Sequence, residues 1–131
     1  MTHIDVVALL AVAQYLVFGS LVGQARGKYG VQAPAVTGHE MFERTYRVQM
    51  NTLEMLVAFL PALYLAARYW PTVYVAGAGV VYLIGRVLYA RAYLTKPDSR
   101  GLGFLLSMAP VTALLLAALV GALMGRSGAP T

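Results

Sequence analysis

Charge is scarce in this chain: of its 131 residues only 11% are Asp, Glu, Lys or Arg, against 60% hydrophobic. A soluble domain carries roughly 25% charged residues, so the composition argues against a water-facing globule, and the mean hydropathy of +0.68 agrees. The length suits one domain. Cysteine is absent altogether. That excludes a disulfide framework, a thiolate metal site and a protein thiol nucleophile. Acidic residues number 5 against 10 basic ones, a net charge of +5. The basic residues fall in gaps between apolar runs and form no basic arm or stripe, which argues against a nucleic-acid partner. His3 and His39 stand apart from any acidic or histidine cluster at ligand spacing, so no metal site is expected.

Long uncharged runs take up most of the chain. Val6 to Ala25 contains no charge, and at about 1.5 Å per residue such a run crosses the roughly 30 Å hydrocarbon core. Further runs extend over about 47–69, broken in its apolar part by Glu54, over about 71–93 with Arg86 and Arg91 near its end, and over 101–125. The expected fold is all-α: an integral membrane four-helix bundle in a single domain. Met1 to Asp5 offers no positive n-region and Ala11-Val12-Ala13 comes early in its run, so the first helix is expected to be retained. The longest connection runs from Arg26 to about Phe42. The Trp70-Pro71 turn is short enough to make spans two and three antiparallel neighbours.

Arg26, Lys28, Arg44 and Arg47 flank the first connection and Arg86, Arg91, Lys96 and Arg100 the third, against only Arg68 and Arg126 on the other side. This bias predicts that the first and third connections are cytoplasmic and both termini lie across the membrane. Arg91 and Lys96 read as solvated topology determinants, and Tyr69, Trp70 and Tyr74 as an aromatic belt at the opposite interface. Gly19 and Gly23 in span one and Gly77, Gly79 and Gly85 in span three permit close helix approach. Pro61 and Pro110 are expected to kink their helices. Residues 127–131 read as a frayed end.

Ionisable groups at membrane depth cost about 2.5–3.5 kcal/mol each on insertion scales, so the few present need a reason. Arg44, Arg47, Asn51 and Glu54 follow one another at intervals of three, four and three, which keeps them on one helix face. Tyr82, Arg86, Tyr89 and Tyr93 recur at four, three and four. Two such stripes on adjacent antiparallel helices can face each other across a pocket of guanidinium, carboxylate, amide and phenol groups. Arginine suits bidentate binding of carboxylates and Glu54 suits an ammonium, so the implied ligand is small, zwitterionic and net anionic. A plainer reading pairs Arg47 with Glu54, directly or through Asn51, and lets Arg86 snorkel to the headgroups. Glu43 and Arg47, four apart, read as an ordinary interfacial ion pair.

The run Phe42-Glu43-Arg44-Thr45-Tyr46-Arg47-Val48-Gln49-Met50-Asn51-Thr52-Leu53-Glu54 resembles the FER-x-YR-x-Q-x-N-x-x-E signature of the MAPEG family, the membrane-associated proteins of eicosanoid and glutathione metabolism. The likeness continues through Ala25-Arg26 and Val31-Gln32-Ala33-Pro34 upstream and Tyr82, Arg86, Tyr89, Tyr93 and Arg100 downstream, covering about 20–105. It implies a homotrimer of four-helix subunits with glutathione between neighbours near the cytoplasmic side. It further implies glutathione contacts at Arg26, Arg47, Gln49, Asn51, Glu54, Arg86, Tyr89 and Tyr93, with Arg100 as the thiol-activating arginine. Two positions depart from the pattern. Gly27 stands where a second basic residue is common, and Met55 where a tyrosine often follows the glutamate.

The ligand and the stripes agree chemically. Glutathione has two carboxylates and one ammonium, matching several arginines and one glutamate, and it supplies the thiol that this chain lacks. A free thiol has a pKa of about 8.5, and lowering it by about two units takes roughly 2.7 kcal/mol. One guanidinium about 4 Å away provides on the order of 4 kcal/mol at an effective dielectric near 20, before the cost of desolvating the thiolate. The expected activity is that of a membrane-bound glutathione transferase, with peroxidase activity on lipid hydroperoxides a related outcome, acting on apolar electrophiles from the bilayer. The alternatives are a non-enzymatic lipid-binding protein of the same family and a small multidrug exporter. The exporter is disfavoured because the first apolar run carries no ionisable group. Compactness and the lack of an evident retrieval signal point to a bacterial inner membrane.

Overall fold

The structure, a computed structural model, describes residues 1–125; Arg126 and the 127–131 tail lie outside the described residues. Four long helices account for nearly all of it: α1 (Thr2–Tyr29), α2 (Glu40–Tyr69), α3 (Thr72–Thr95) and α4 (Gly101–Leu123), with one 3₁₀ turn at Pro97–Ser99 before α4. All four have the length and apolar composition to cross a membrane. The all-α four-helix membrane bundle expected from composition is the fold observed.

The facing ends of α1 and α2 and the far end of α2 each have a local cause. Gly30 closes α1 in the left-handed conformation at φ 70°, with its N–H donating to the Arg26 carbonyl, a backbone geometry that a glycine adopts without Cβ strain. His39 opens α2: its Nδ1 accepts the Met41 N–H at 3.1 Å, and Glu40 and Glu43 occupy the first turn, where the helix dipole favours negative charge. His39 also stacks on Tyr29 at 4.1 Å, tying the ends of α1 and α2 together. Trp70-Pro71 ends α2, since a residue before proline is driven from the helical region. Pro61 and Pro110 each lie inside one continuous helix.

α1 and α2 are longer than their uncharged runs. At 28 and 30 residues they measure roughly 42 and 45 Å, more than the hydrocarbon core requires. The excess is polar helix: α1 continues through Arg26 and Lys28, and α2 begins seven residues before Arg47. The first connection is therefore confined to residues 30–39, shorter than the expected 26–42.

Helices consecutive in the chain run antiparallel, so that α2 and α4, which also pack together, run parallel. Tyr64, towards the end of α2, donates to Asp5 Oδ1 near the start of α1 at 2.8 Å. The Trp70 indole N–H donates to the Ala117 carbonyl of α4 at 2.7 Å. The main core packs Ile4 and Ala11 of α1, Phe59, Leu63 and Ala66 of α2, Val75 and Tyr82 of α3, and Val111 and Leu114 of α4. Leu9, Leu16, Val57, Val73, Leu102 and Leu115 face outward. Lipid is as apolar as leucine, so close packing and interhelical hydrogen bonds hold such helices together.

Small residues set the closest seam, between α3 and α4. A Cβ at Gly103 would lie 2.3 Å from the Tyr89 backbone nitrogen, and one at Gly85 would lie 2.6 Å from the Leu106 carbonyl carbon. Gly79 is crossed by Val7 and Gly19 by the Gln49 side chain, whereas Gly23 and Gly77 meet nothing within the chain. Gly103 and Gly121 were not among the small residues expected at contacts, yet each abuts a neighbouring helix.

Candidate functional site

The polar stripes of α2 and α3 meet. Arg86, with 0% of its surface exposed, donates from Nη1 to Asn51 Oδ1 at 2.8 Å and to Thr52 Oγ1 at 3.2 Å. From Nε it donates to Ser107 Oγ on α4 at 2.9 Å. The Ser107 hydroxyl in turn donates a hydrogen bond to the Gly103 carbonyl at 2.7 Å. Charge-assisted hydrogen bonds contribute about 1.5–3 kcal/mol each, so these three offset an insertion cost of about 2.5–3.5 kcal/mol. The snorkelling alternative for Arg86 is not what is observed. Ser107 and Thr52, which no stripe contained, join its shell, while its buried Nη2 has no hydrogen-bond partner among the described residues; the signal for Ser107 was one of two hydroxyls in an otherwise apolar run, four residues after Gly103.

A ladder of rings and cations leads outward from Arg86. Its guanidinium lies 4.3 Å from the Tyr89 ring centre, Tyr89 stacks on Tyr93 at 5.5 Å, and the Arg100 guanidinium lies 5.8 Å from the Tyr93 ring. Arg100 is exposed at the entry to α4 and donates to the Pro97 carbonyl at 3.0 Å. Along α2, Arg47 and Glu54 approach to 3.4 Å with their side chains 49% and 61% exposed. An ion pair so open to its surroundings is worth about 0–1 kcal/mol, so either partner can be recruited by a ligand at little cost. Arg47 and Tyr93 line a recess of about 490 Å³ together with Val36, Glu40, Glu43, Arg44 and Tyr46. Tyr46 is a member of this wall that the spacing argument did not single out.

Other charges near the recess are committed locally. Arg44 pairs with Glu40, and Glu43 Oε2 accepts the Gly38 N–H at 3.1 Å. The expected Glu43–Arg47 ion pair is therefore not formed: Glu43 caps the connection, and Arg47 turns to Glu54. Arg26 donates to the carbonyls of Val31 at 3.4 Å and Ala35 at 2.7 Å, and its guanidinium lies 4.8 Å from the Phe42 ring. It thereby clamps the connection between α1 and α2.

The expected site residues thus fall into two groups. Arg47, Asn51, Glu54, Arg86, Tyr89, Tyr93 and Arg100 form one connected array on α2, α3 and the start of α4. Gln49 lies two residues from Arg47, hence about 200° round the helix, and packs on Gly19 of α1. Arg26 sits at the end of α1 beside the connection. These two belong to the other side of α2. An array holding two exposed guanidiniums, one exposed carboxylate and stacked phenols can bind carboxylates and an ammonium together, and can stabilise a developing anion beside Arg100.

Comparison with known proteins agrees with the architecture and the signature run. The MAPEG family profile matches residues 5–120. An uncharacterised protein of Synechocystis sp. is 46% identical over 117 residues, covering 89% of this chain and 85% of the relative. Microsomal glutathione S-transferase 2 of Homo sapiens is 40% identical over 115 residues, covering 88% and 78% respectively. Leukotriene C4 synthase of Bos taurus is 35% identical over 94 residues, 72% of this chain and 63% of that enzyme. With the four-helix membrane bundle, the joined polar stripes and a profile match across most of its length, the chain belongs to the MAPEG family.

Proposed function

We propose that the protein is a membrane-bound glutathione transferase that activates the glutathione thiol for attack on apolar electrophiles from the bilayer. The observation that carries this reading is the single array running from Arg47 and Glu54 through Asn51, Arg86, Tyr89 and Tyr93 to Arg100, opening on a recess of about 490 Å³. The names of two relatives, a glutathione transferase and leukotriene C4 synthase, support the same chemistry.

In this reading Arg47 grips a glutathione carboxylate, Glu54 releases Arg47 to accept the ammonium, and Asn51 and Tyr89 line the bound peptide. Arg86 supports them from behind. Arg100 holds the sulfur as thiolate while Tyr93 donates a hydrogen bond to it, and the thiolate attacks an electrophile arriving along α1 or α4. Reduction of a lipid hydroperoxide uses the same thiolate: the sulfur attacks the terminal peroxide oxygen, the O–O bond breaks with the lipid alcohol leaving, and a second glutathione displaces water from the resulting sulfenic acid to give the disulfide. Gln49 and Arg26, on the other side of α2, complete a second chain's site in a homotrimer, which explains why residues of one ligand set lie on two faces. The excess of Lys and Arg at the recess end argues that this end is cytoplasmic, with both termini periplasmic in a bacterial inner membrane.

The test uses detergent-purified protein, following the ultraviolet absorbance of glutathione thiolate and the conjugation of an aryl halide. Saturable thiolate formation and turnover are expected. Absence of glutathione binding at millimolar concentration would overturn the reading.

A further inference from the structure

Arg86 and Asn51 share a contact whose chemistry has only one sense. A guanidinium has donors and no acceptor, so the atom that Asn51 turns to Arg86 at 2.8 Å must be its carbonyl oxygen. That fixes the orientation of the amide. The Asn51 NH₂ group is then directed away from Arg86. Asn51 is half-buried, one helical turn from both Arg47 and Glu54 on the same face of α2. Arg86 itself offers a ligand no exposed surface.

We propose, building on the glutathione reading, that Arg86 is a positioning residue: it touches no substrate, and it holds Asn51 as an obligate hydrogen-bond donor aimed at a carbonyl or carboxylate oxygen of the bound peptide. Three further contacts keep Arg86 in this role. Ser107 and Thr52 hold its fork in plane, and the Tyr89 ring supports its face. Lysine, a point donor on a flexible stem, cannot satisfy Asn51, Thr52 and Ser107 at once, so the geometry calls for arginine in particular.

The test is a double-mutant cycle on glutathione binding and turnover with Arg86→Lys, Asn51→Ala and the pair, with oligomer size and thermal melting measured in parallel. Asn51→Ala removes the donor and should weaken glutathione binding about tenfold, the usual worth of one ligand hydrogen bond. Arg86→Lys should raise the glutathione KM by a similar factor with kcat within about twofold, and the double variant should bind no worse than Asn51→Ala alone. Multiplying losses in the double variant would mean that Arg86 acts independently of Asn51, and would overturn the positioning role while leaving the glutathione reading intact. A fall in melting temperature with unchanged KM would also overturn it, making Arg86 purely structural. Wild-type protein that binds no glutathione would overturn both.

Discussion

Arg47 and Arg100 have the same side chain and different neighbours, and the proposed function gives them different work. Arg47 stands half-exposed beside Glu54, ready for a carboxylate, whereas Arg100 lies over Tyr93 at the entry to α4. Arg100→Ala is expected to lower kcat about a hundredfold, in the range for loss of one electrostatic stabiliser, while glutathione affinity changes little. The sign of its pH dependence follows. Without the guanidinium the thiol returns towards its free pKa of about 8.5. The variant's rate should therefore climb steadily from pH 7 to 9, where the wild type is already near its plateau. A pH profile of aryl halide conjugation checks both points. The pairing of Arg47 was legible only as one option in the sequence, because Glu43 and Glu54 both lie within reach along α2. The structure decides between them by giving Glu43 to the Gly38 backbone.

At the scale of elements, the uncharged runs located all four helices but not their ends. Charged residues such as Arg26, Lys28 and Glu43 remain helical once beyond the hydrocarbon, where water and headgroups solvate them, so a search for uncharged runs stops too early. The intervals of three and four place each stripe on one helix face, but Tyr82, expected in the second stripe to line the pocket, is instead buried in the main core against Phe59. The same arithmetic separates Gln49 from Arg47, a signal in the sequence that carry-over from a family pattern passes over. The α3–α4 seam was not legible, because close approach depends on which helix lies opposite. Gly103→Ala should force apart the backbones at Tyr89, costing about 1–3 kcal/mol as overpacking, and should disturb the Arg86–Ser107 bridge. Thermal melting in detergent should show a clear loss for this variant. Gly77→Ala, whose Cβ meets nothing, should melt no lower than wild type.

For the whole molecule, the division of the site residues over two faces of α2 makes a prediction about assembly. If each site takes Arg47 from one chain and Gln49 from the next, an Arg47→Ala chain and a Gln49→Ala chain cripple the site from opposite sides. Mixed oligomers of the two then contain one interface with both residues intact. Co-expression should recover conjugation activity beyond that of either variant alone; a site contained within one chain would show no recovery.

The central claim is that Arg47, with Glu54 beside it, holds glutathione at the rim of the bundle. Calorimetric titration of glutathione into detergent-purified wild type and Arg47→Ala tests it most directly. The account predicts saturable binding to the wild type and at least about tenfold weaker binding to the variant, the loss of one charge-assisted contact. Equal affinity in the two proteins, or no heat of binding in the wild type, would contradict it.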